Sequence, residues 1–478
     1  MHRASIFAVL LAGLALFVPA TGRGRTREDV NREARDIFRQ LIETNTTDSV
    51  GNVTTAAEAM QTRLREAGFS DKDMMLAGPN DRKKNLVVRY RGTGKQKPVL
   101  FIGHLDVVEA RREDWTTDPF RFVEKDGFFY GRGTEDMKSG DAILVSNFIR
   151  LKREGYVSDR DLIVALTADE EGGHFNGIDW LLNEHRDWID AEYCINLDGG
   201  EFEKLGEKRL LAGLQASEKV YVDYTFESLN AGGHSSVPSP DNAVYHLAGA
   251  LERLKNFSFP VHMSEITRNY FAKSAGFSSG QEASDMRAVA KESPDAGAVA
   301  RLSQNPYFNS LLHTTCVATM LSGGHAPNAL PQTARANVNC RIFPDEEPEN
   351  IGKTLEQVAN DPKVSVTEVR QTGPDGKTIP AVNVPPSPLL PEVVKTEERV
   401  VQSMWPGLPV IATMSTGATD GKFLRIAGIP TYGISCLFYE QDDNRAHGKD
   451  ERVGVQDFYD GVECGYRLLR ALGGVTPR

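Results

Sequence analysis

The sequence predicts an α/β protein built on a mostly parallel sheet and interrupted by a smaller inserted α+β domain. Three observations carry this. Short continuous apolar runs at residues 99–102, 162–166 and 193–197 have the pattern of strands buried on both faces, with helical stretches between them. Beyond residue 214 the pattern turns to alternation: Val220, Val222, Tyr224 and Phe226 are separated by Tyr221, Asp223 and Thr225, as in a sheet open on one side. After a proline-rich stretch the chain returns to strand–helix alternation, so the first domain is discontinuous.

In chain order, residues 1–20 read as a signal peptide, with a basic start at Arg3, an apolar run over 4–17 and a small residue, Ala20, at the cleavage point. The run is short for a spanning helix, and no other stretch is long enough to cross a bilayer. The mature chain is therefore expected to be exported, secreted or periplasmic, with no membrane segment after signal removal. The large domain is expected at 21–214 and again at 373–478, with an inserted lid or dimerisation domain at 215–372. Val30, Ala34, Ile37, Phe38 and Leu41 recur at helical spacing, a second helix follows over 57–64, and residues 84–90 form a strand. Ile143, Leu144, Phe148 and Leu151 mark a helix packed on the sheet. In the inserted domain come a helix through Val244, Leu247, Leu251 and Leu254, strands at 315–320 and 336–342, a helix at 351–358 and a strand at 364–369. That β-α-β-β-α-β order is ferredoxin-like. Residues 256–313 are extra within it, rich in Ser, Ala and Gly and expected to be partly helical. A final amphipathic helix spans 455–472.

A chain of 478 residues exceeds one ordinary core, and a net charge of -11 without a basic footprint excludes nucleic acid as the expected partner. Of the five cysteines, Cys194, Cys316, Cys340 and Cys436 lie in apolar runs, where inert buried thiols are usual, so few or no disulfides are expected.

Ligands of open α/β sheets bind beyond the carboxyl ends of the strands. There the first apolar run leads into Gly103, His104 and Asp106, the second into Asp169, Glu170 and Glu171, and the third into Asp198. Asp136 stands just ahead of a helix, and His447 arrives in a late polar loop. Carboxylates with imidazole and no thiolate suit Zn, Co or Mn. Asp136, Glu171 and Asp198 with a bridging hydroxide neutralise two dications, which leaves Glu170 free as a base. Adjacent glutamates at a strand end point different ways, so one binds metal while the other faces substrate.

Gly103-His-Leu-Asp106, Gly131-Arg-Gly-Thr-Glu-Asp136-Met-Lys, Asp169-Glu-Glu-Gly-Gly173, Leu197-Asp-Gly199 and Ala446-His-Gly448 resemble, in order and approximate spacing, the metal motifs of the aminoacylase, glutamate carboxypeptidase and carboxypeptidase S peptidase family. The insertion and the segment 446–452 are most similar to the carboxypeptidase S branch. The resemblance implies a di-zinc peptidase domain in which His104, Asp136 and Asp198 hold one zinc, and Asp136, Glu171 and His447 the other. It implies that Asp106 orients the His104 ring and that Glu170 is the general base. In Gly232-Gly-His234 the histidine resembles one that reaches a neighbouring subunit's site and stabilises the oxyanion. Asn328 and Arg341 match positions that grip substrate, Arg341 by its planar fork on a terminal carboxylate. The segment 415–420 departs from the family's double-glycine form. The implied activity is cleavage of an amide bond in a peptide, as an exopeptidase, carboxypeptidase or dipeptidase, or in an N-acyl amino acid. A catalytically inactive binding relative is the rival, and the filled metal and base positions argue against it. The open face of the small sheet allows a homodimer, or the insertion covers that face in a monomer.

Overall fold

The computed structural model describes residues 25–372, 378–379 and 381–474. The expected signal peptide, with Pro374 and Pro380 of the linker, lies outside the described residues.

The large sheet is mixed, and its heart is parallel: Leu162–Thr167, Val99–His104, Tyr193–Asn196 and Thr431–Gly433 lie side by side in that order. Asn85–Tyr90 and Met74–Ala77 extend it antiparallel on one side. Every residue of Val99–His104 and of Leu162–Thr167 is buried, which is why these strands are continuous apolar runs. Each such valine, leucine, isoleucine or phenylalanine contributes roughly 1.5–3 kcal/mol by leaving water. Helices Arg27–Ile42, Lys138–Arg153 and Val455–Leu472 cover one face through Phe38, Phe148 and Phe458. Gly177–Glu184 and Gly421–Ile426 cover the other with Ile178, Leu181 and Leu424. The first helix begins where Thr26 and Asp29 form a capping box.

Sequence pattern did not reveal the strand Lys208–Glu218, which pairs with Val410–Ser415 and Phe202–Leu205 on the far side of the sheet. The chain then passes directly into a second sheet at Val220–Leu229. This four-stranded sheet is antiparallel in the order Thr315–Gly323, Thr333–Ile342, Val220–Leu229, Val364–Val369. Helices Ala243–Lys255 and Pro348–Ala359 cover one of its faces, against Val222, Tyr224, Phe226 and Val338.

The insertion folds into four helices, Glu265–Ser274, Gly280–Val289, Ala296–Leu302 and Pro306–Leu312. Ile266, Phe271, Met286 and Leu312 join the core of the large domain, and Lys273 Nζ donates to the Val410 carbonyl at 3.0 Å. The insertion therefore covers the large domain and leaves the small sheet's open side uncovered. On the edge strand there, Met320 and Leu321 are each 71% exposed.

The cysteines depart from expectation. Cys316 and Cys340 stand opposite each other in register on adjacent strands and are disulfide-bonded, as are Cys436 and Cys464; Cys194 alone is a free buried thiol. An apolar setting suits a disulfide as well as a thiol, and only tertiary pairing distinguishes them.

Candidate metal centre

Beyond the carboxyl ends of the parallel strands, Asp136 lies between two imidazoles. Its Oδ1 is 3.0 Å from His104 Nε2 and its Oδ2 is 3.0 Å from His447 Nε2. Glu171 joins on the His447 side, with Oε2 at 2.9 Å from Nε2, and Asp198 on the His104 side, with Oδ1 at 3.9 Å. One ligand atom from each of His104, Asp136 and Glu171 falls within 4.8 Å of the other two. The His104 side chain is 1% exposed and that of His447 55%, so the cluster has a buried end and an exposed end.

The charges fit a cation. Burial and the His104 bond to Asp136 oppose each other at His104, and the bond wins, raising its affinity for a proton well above the ordinary imidazole's. Bonds from Asp136 and Glu171 lift His447 to about 10. Burial would raise Asp136, but its two histidine bonds hold it below the usual carboxylate range. Burial and the neighbouring Asp136 charge push Asp198 well up, and burial with the surrounding acids does the same to Glu170. Carboxylates that repel one another around imidazole nitrogens accept positive charge at their centre, and a divalent ion would satisfy them. The oxygen and imidazole donors suit zinc.

The glutamate pair is held from below. Asp106 touches the His104 ring through its backbone carbonyl, 3.1 Å from Nδ1, while its carboxylate is 3.7 Å away. That carboxylate instead accepts the backbone N–H of Glu170 at 3.2 Å and of Glu171 at 3.0 Å. Burial raises Asp106 to about 7. The preceding residue, Asp169, has a left-handed backbone with φ 58° and is gripped by the buried ammonium of Lys83, which also reaches Asp48 at 2.8 Å. A side chain at Gly173 would overlap the Asp169 carboxylate, so that turn closes only on glycine. Among the described residues nothing bonds the Glu170 carboxyl, which leaves it free to exchange a proton.

The remaining expected residues lie elsewhere. His234 is exposed on the short strand Gly233–His234, where Nδ1 meets the Ser236 hydroxyl at 2.7 Å. Asn328 is exposed beside it, its carbonyl accepting the Ser235 N–H at 3.1 Å. Arg341 lies on the small sheet, 4.6 Å over the Tyr221 ring. Among the described residues none of the three bonds the metal cluster.

Several residues at the site escaped the sequence reading. Asp420 accepts from the Thr167 hydroxyl at 3.0 Å and from Asn176 Nδ2 at 2.5 Å, while Asn176 also donates to the Asp169 carbonyl at 3.3 Å; this ties the 415–420 segment to the glutamate turn. Beneath Asp136 lies the buried pair Arg132–Glu451. Both members sit inside or beside the metal motifs, and their opposite charges there were the available signal.

The family model of Peptidase family M20/M25/M40 matches residues 100–471. The chain is 25% identical over 395 residues to the human N-fatty-acyl-amino acid synthase/hydrolase PM20D1, covering 78% of this chain and 74% of that protein. It is 26% identical over 403 residues to the probable carboxypeptidase S-like 2 of Dictyostelium discoideum, covering 81% and 74%. In fold it is similar to the M20 family metallo-carboxypeptidase Sso-CP2 of Sulfolobus solfataricus, with a TM-score of 0.68 at 15% identity over 92% of this chain and 99% of that one. With motifs, fold and a match over most of its length in agreement, the chain belongs to Peptidase family M20/M25/M40, a family of metal-dependent peptidases and amidohydrolases.

Proposed function

We propose that this protein is an exported two-zinc hydrolase of amide bonds next to a free carboxylate. The observation that carries the reading is Asp136, which offers one oxygen to His104 and the other to His447, each at 3.0 Å. His104, Asp136 and Asp198 would hold one zinc, and Asp136, Glu171 and His447 the other, with cobalt or manganese as substitutes. Zinc in such a site acts as a Lewis acid that polarises the scissile carbonyl and activates water.

The protein's own groups do the rest. Glu170, raised by burial and unbonded, takes the proton of the attacking water and returns it to the leaving amine. Asp106 keeps Glu170 and Glu171 in place through their backbone amides. His234 donates to the carbonyl oxygen as it gains charge, Asn328 beside it grips the substrate, and Arg341 pairs with the substrate's carboxylate. Because His234 is exposed on the small domain, we assign it to the site of a second copy. The uncovered edge strand Thr315–Gly323, with Met320 and Leu321 in solvent, supports a homodimer through this domain. Two disulfides support the exported reading, since such bonds persist in oxidising compartments.

Two substrate classes share this chemistry: peptides cut by an exopeptidase, and N-acyl amino acids, favoured by the likeness to the N-fatty-acyl-amino acid synthase/hydrolase. Zinc-replete protein offered dipeptides and N-acyl amino acids in parallel should release amine from one set, lose activity to a chelator and regain it with zinc. Intact substrates throughout, with zinc bound, would remove the hydrolase reading.

A further inference from the structure

Glu451 is wholly buried, and its carboxylate carries the loop that ends at Asp136. Oε1 accepts the backbone N–H of Gly133 at 3.1 Å, of Glu135 at 2.7 Å and of Asp136 at 3.1 Å. Oε2 accepts from Arg132 Nη1 at 2.5 Å. Arg132, also buried, turns its other nitrogen to the opposite loop, where Nη2 donates to the carbonyls of Gly448 at 2.9 Å and His447 at 3.4 Å. The guanidinium rests over the Trp115 ring, 5.0 Å from its centroid. Each residue thus grips the loop to which the other belongs, although 319 positions separate them in sequence.

We infer that Arg132 and Glu451 are a positioning pair that sets the separation of Asp136 from His447, and so the closure of the His447 half of the centre on a cation. The inference rests on the metal reading above and adds residues that hold no metal themselves. His447 has a left-handed backbone, φ 63°, a conformation that non-glycine residues keep only where their surroundings enforce it. Arg132 supplies that enforcement, with its bonds falling on the carbonyls of His447 and the residue after it. A planar guanidinium spans a carboxylate on one side and carbonyls on the other, which the single ammonium of lysine does less well. Glutamine at position 451 would have one oxygen for the backbone amides and would leave the buried guanidinium unneutralised. The His104 half is held separately, by its own strand and by the Asp106 carbonyl at 3.1 Å. Loosening the His447 loop alone should therefore weaken one cation-binding step and spare the other.

The test is calorimetric titration of the metal-free full chain with zinc, together with thermal melting, for the wild type, Arg132→Lys, Glu451→Gln and Arg160→Met, with His447→Ala to mark the step concerned. Arg160 is a buried arginine paired with Glu392 at 3.0 Å, placed at the opposite end of the strand Leu162–Thr167, and controls for loss of a buried guanidinium. Arg132→Lys should weaken the step lost in His447→Ala by about 10–100-fold and leave the other, Glu451→Gln should weaken both, and Arg160→Met should lower the melting temperature alone. Arg132→Lys and Glu451→Gln titrating like the wild type would overturn the pair's role, as would Arg160→Met weakening zinc equally. Should Glu451→Gln not fold, Arg132→Lys decides by itself. A wild type that takes up no zinc overturns the metal reading as well, an outcome distinct from normal uptake with unaffected variants.

Discussion

At the enclosed carboxyl edge of the large sheet, Asp136 bonds both His104 and His447 and Glu171 bonds His447, whereas on the small domain His234 and Asn328 stand in solvent and Arg341 rests on a tyrosine ring. Enclosed groups set one another's charge: the carboxylate between two imidazoles is held low while its neighbours are pushed high. His234 and Asn328 are instead exposed to solvent, open to a ligand or a second chain. The groups of the first region meet within one chain; among the described residues those of the second bond none of them.

Substitution at the centre of the enclosed region should have the largest effect. Asp136→Asn is expected to lose bound zinc and to lower turnover by roughly three orders of magnitude or more, since several kcal/mol of charge stabilisation disappear. Metal analysis after desalting checks it, and full zinc in that variant would break the bridge between the two halves. Next comes Glu170→Ala, which should keep its zinc while kcat falls about 10²–10⁴-fold, the range for a lost general base. Near-native turnover would move the base elsewhere. The smallest effect is expected in the exposed region, where His234→Ala should melt like the wild type and lose about 10²-fold in kcat. Mixing it with Glu170→Ala under subunit exchange should restore part of the activity if the histidine serves another copy. No recovery on mixing would assign His234 to its own chain or to none.

Much of the enclosed region is legible in sequence because a buried strand announces itself as an apolar run, and the residues just past its carboxyl end face the ligand. His104, Glu171 and Asp198 are placed by that rule alone, and the helix after Asp136 spans Lys138–Arg153 as its spacing implies. The features that escape have no local signature. The strand Lys208–Glu218 carries charge at its exposed end and is buried only through the rest of its length. Asp106 sits where a ring-orienting acid was expected, and only the fold turns its carboxylate to the amides of Glu170 and Glu171. The disulfides and the Arg132–Glu451 pair depend on partners brought together from distant segments. The docking side of the insertion is hidden for the same reason, since an amphipathic helix shows that it packs and leaves open against what.

Asp136 and His447 are 311 residues apart, and Glu451 lies farther along still. During synthesis His104 and Asp136 therefore emerge long before His447 and Glu451, which Asp136 meets in the folded chain. If Asp136 and His447 share the metal site proposed above, a nascent chain of this kind stays inert toward amide bonds while the cell is still making it, and becomes competent only when its distal segment folds back.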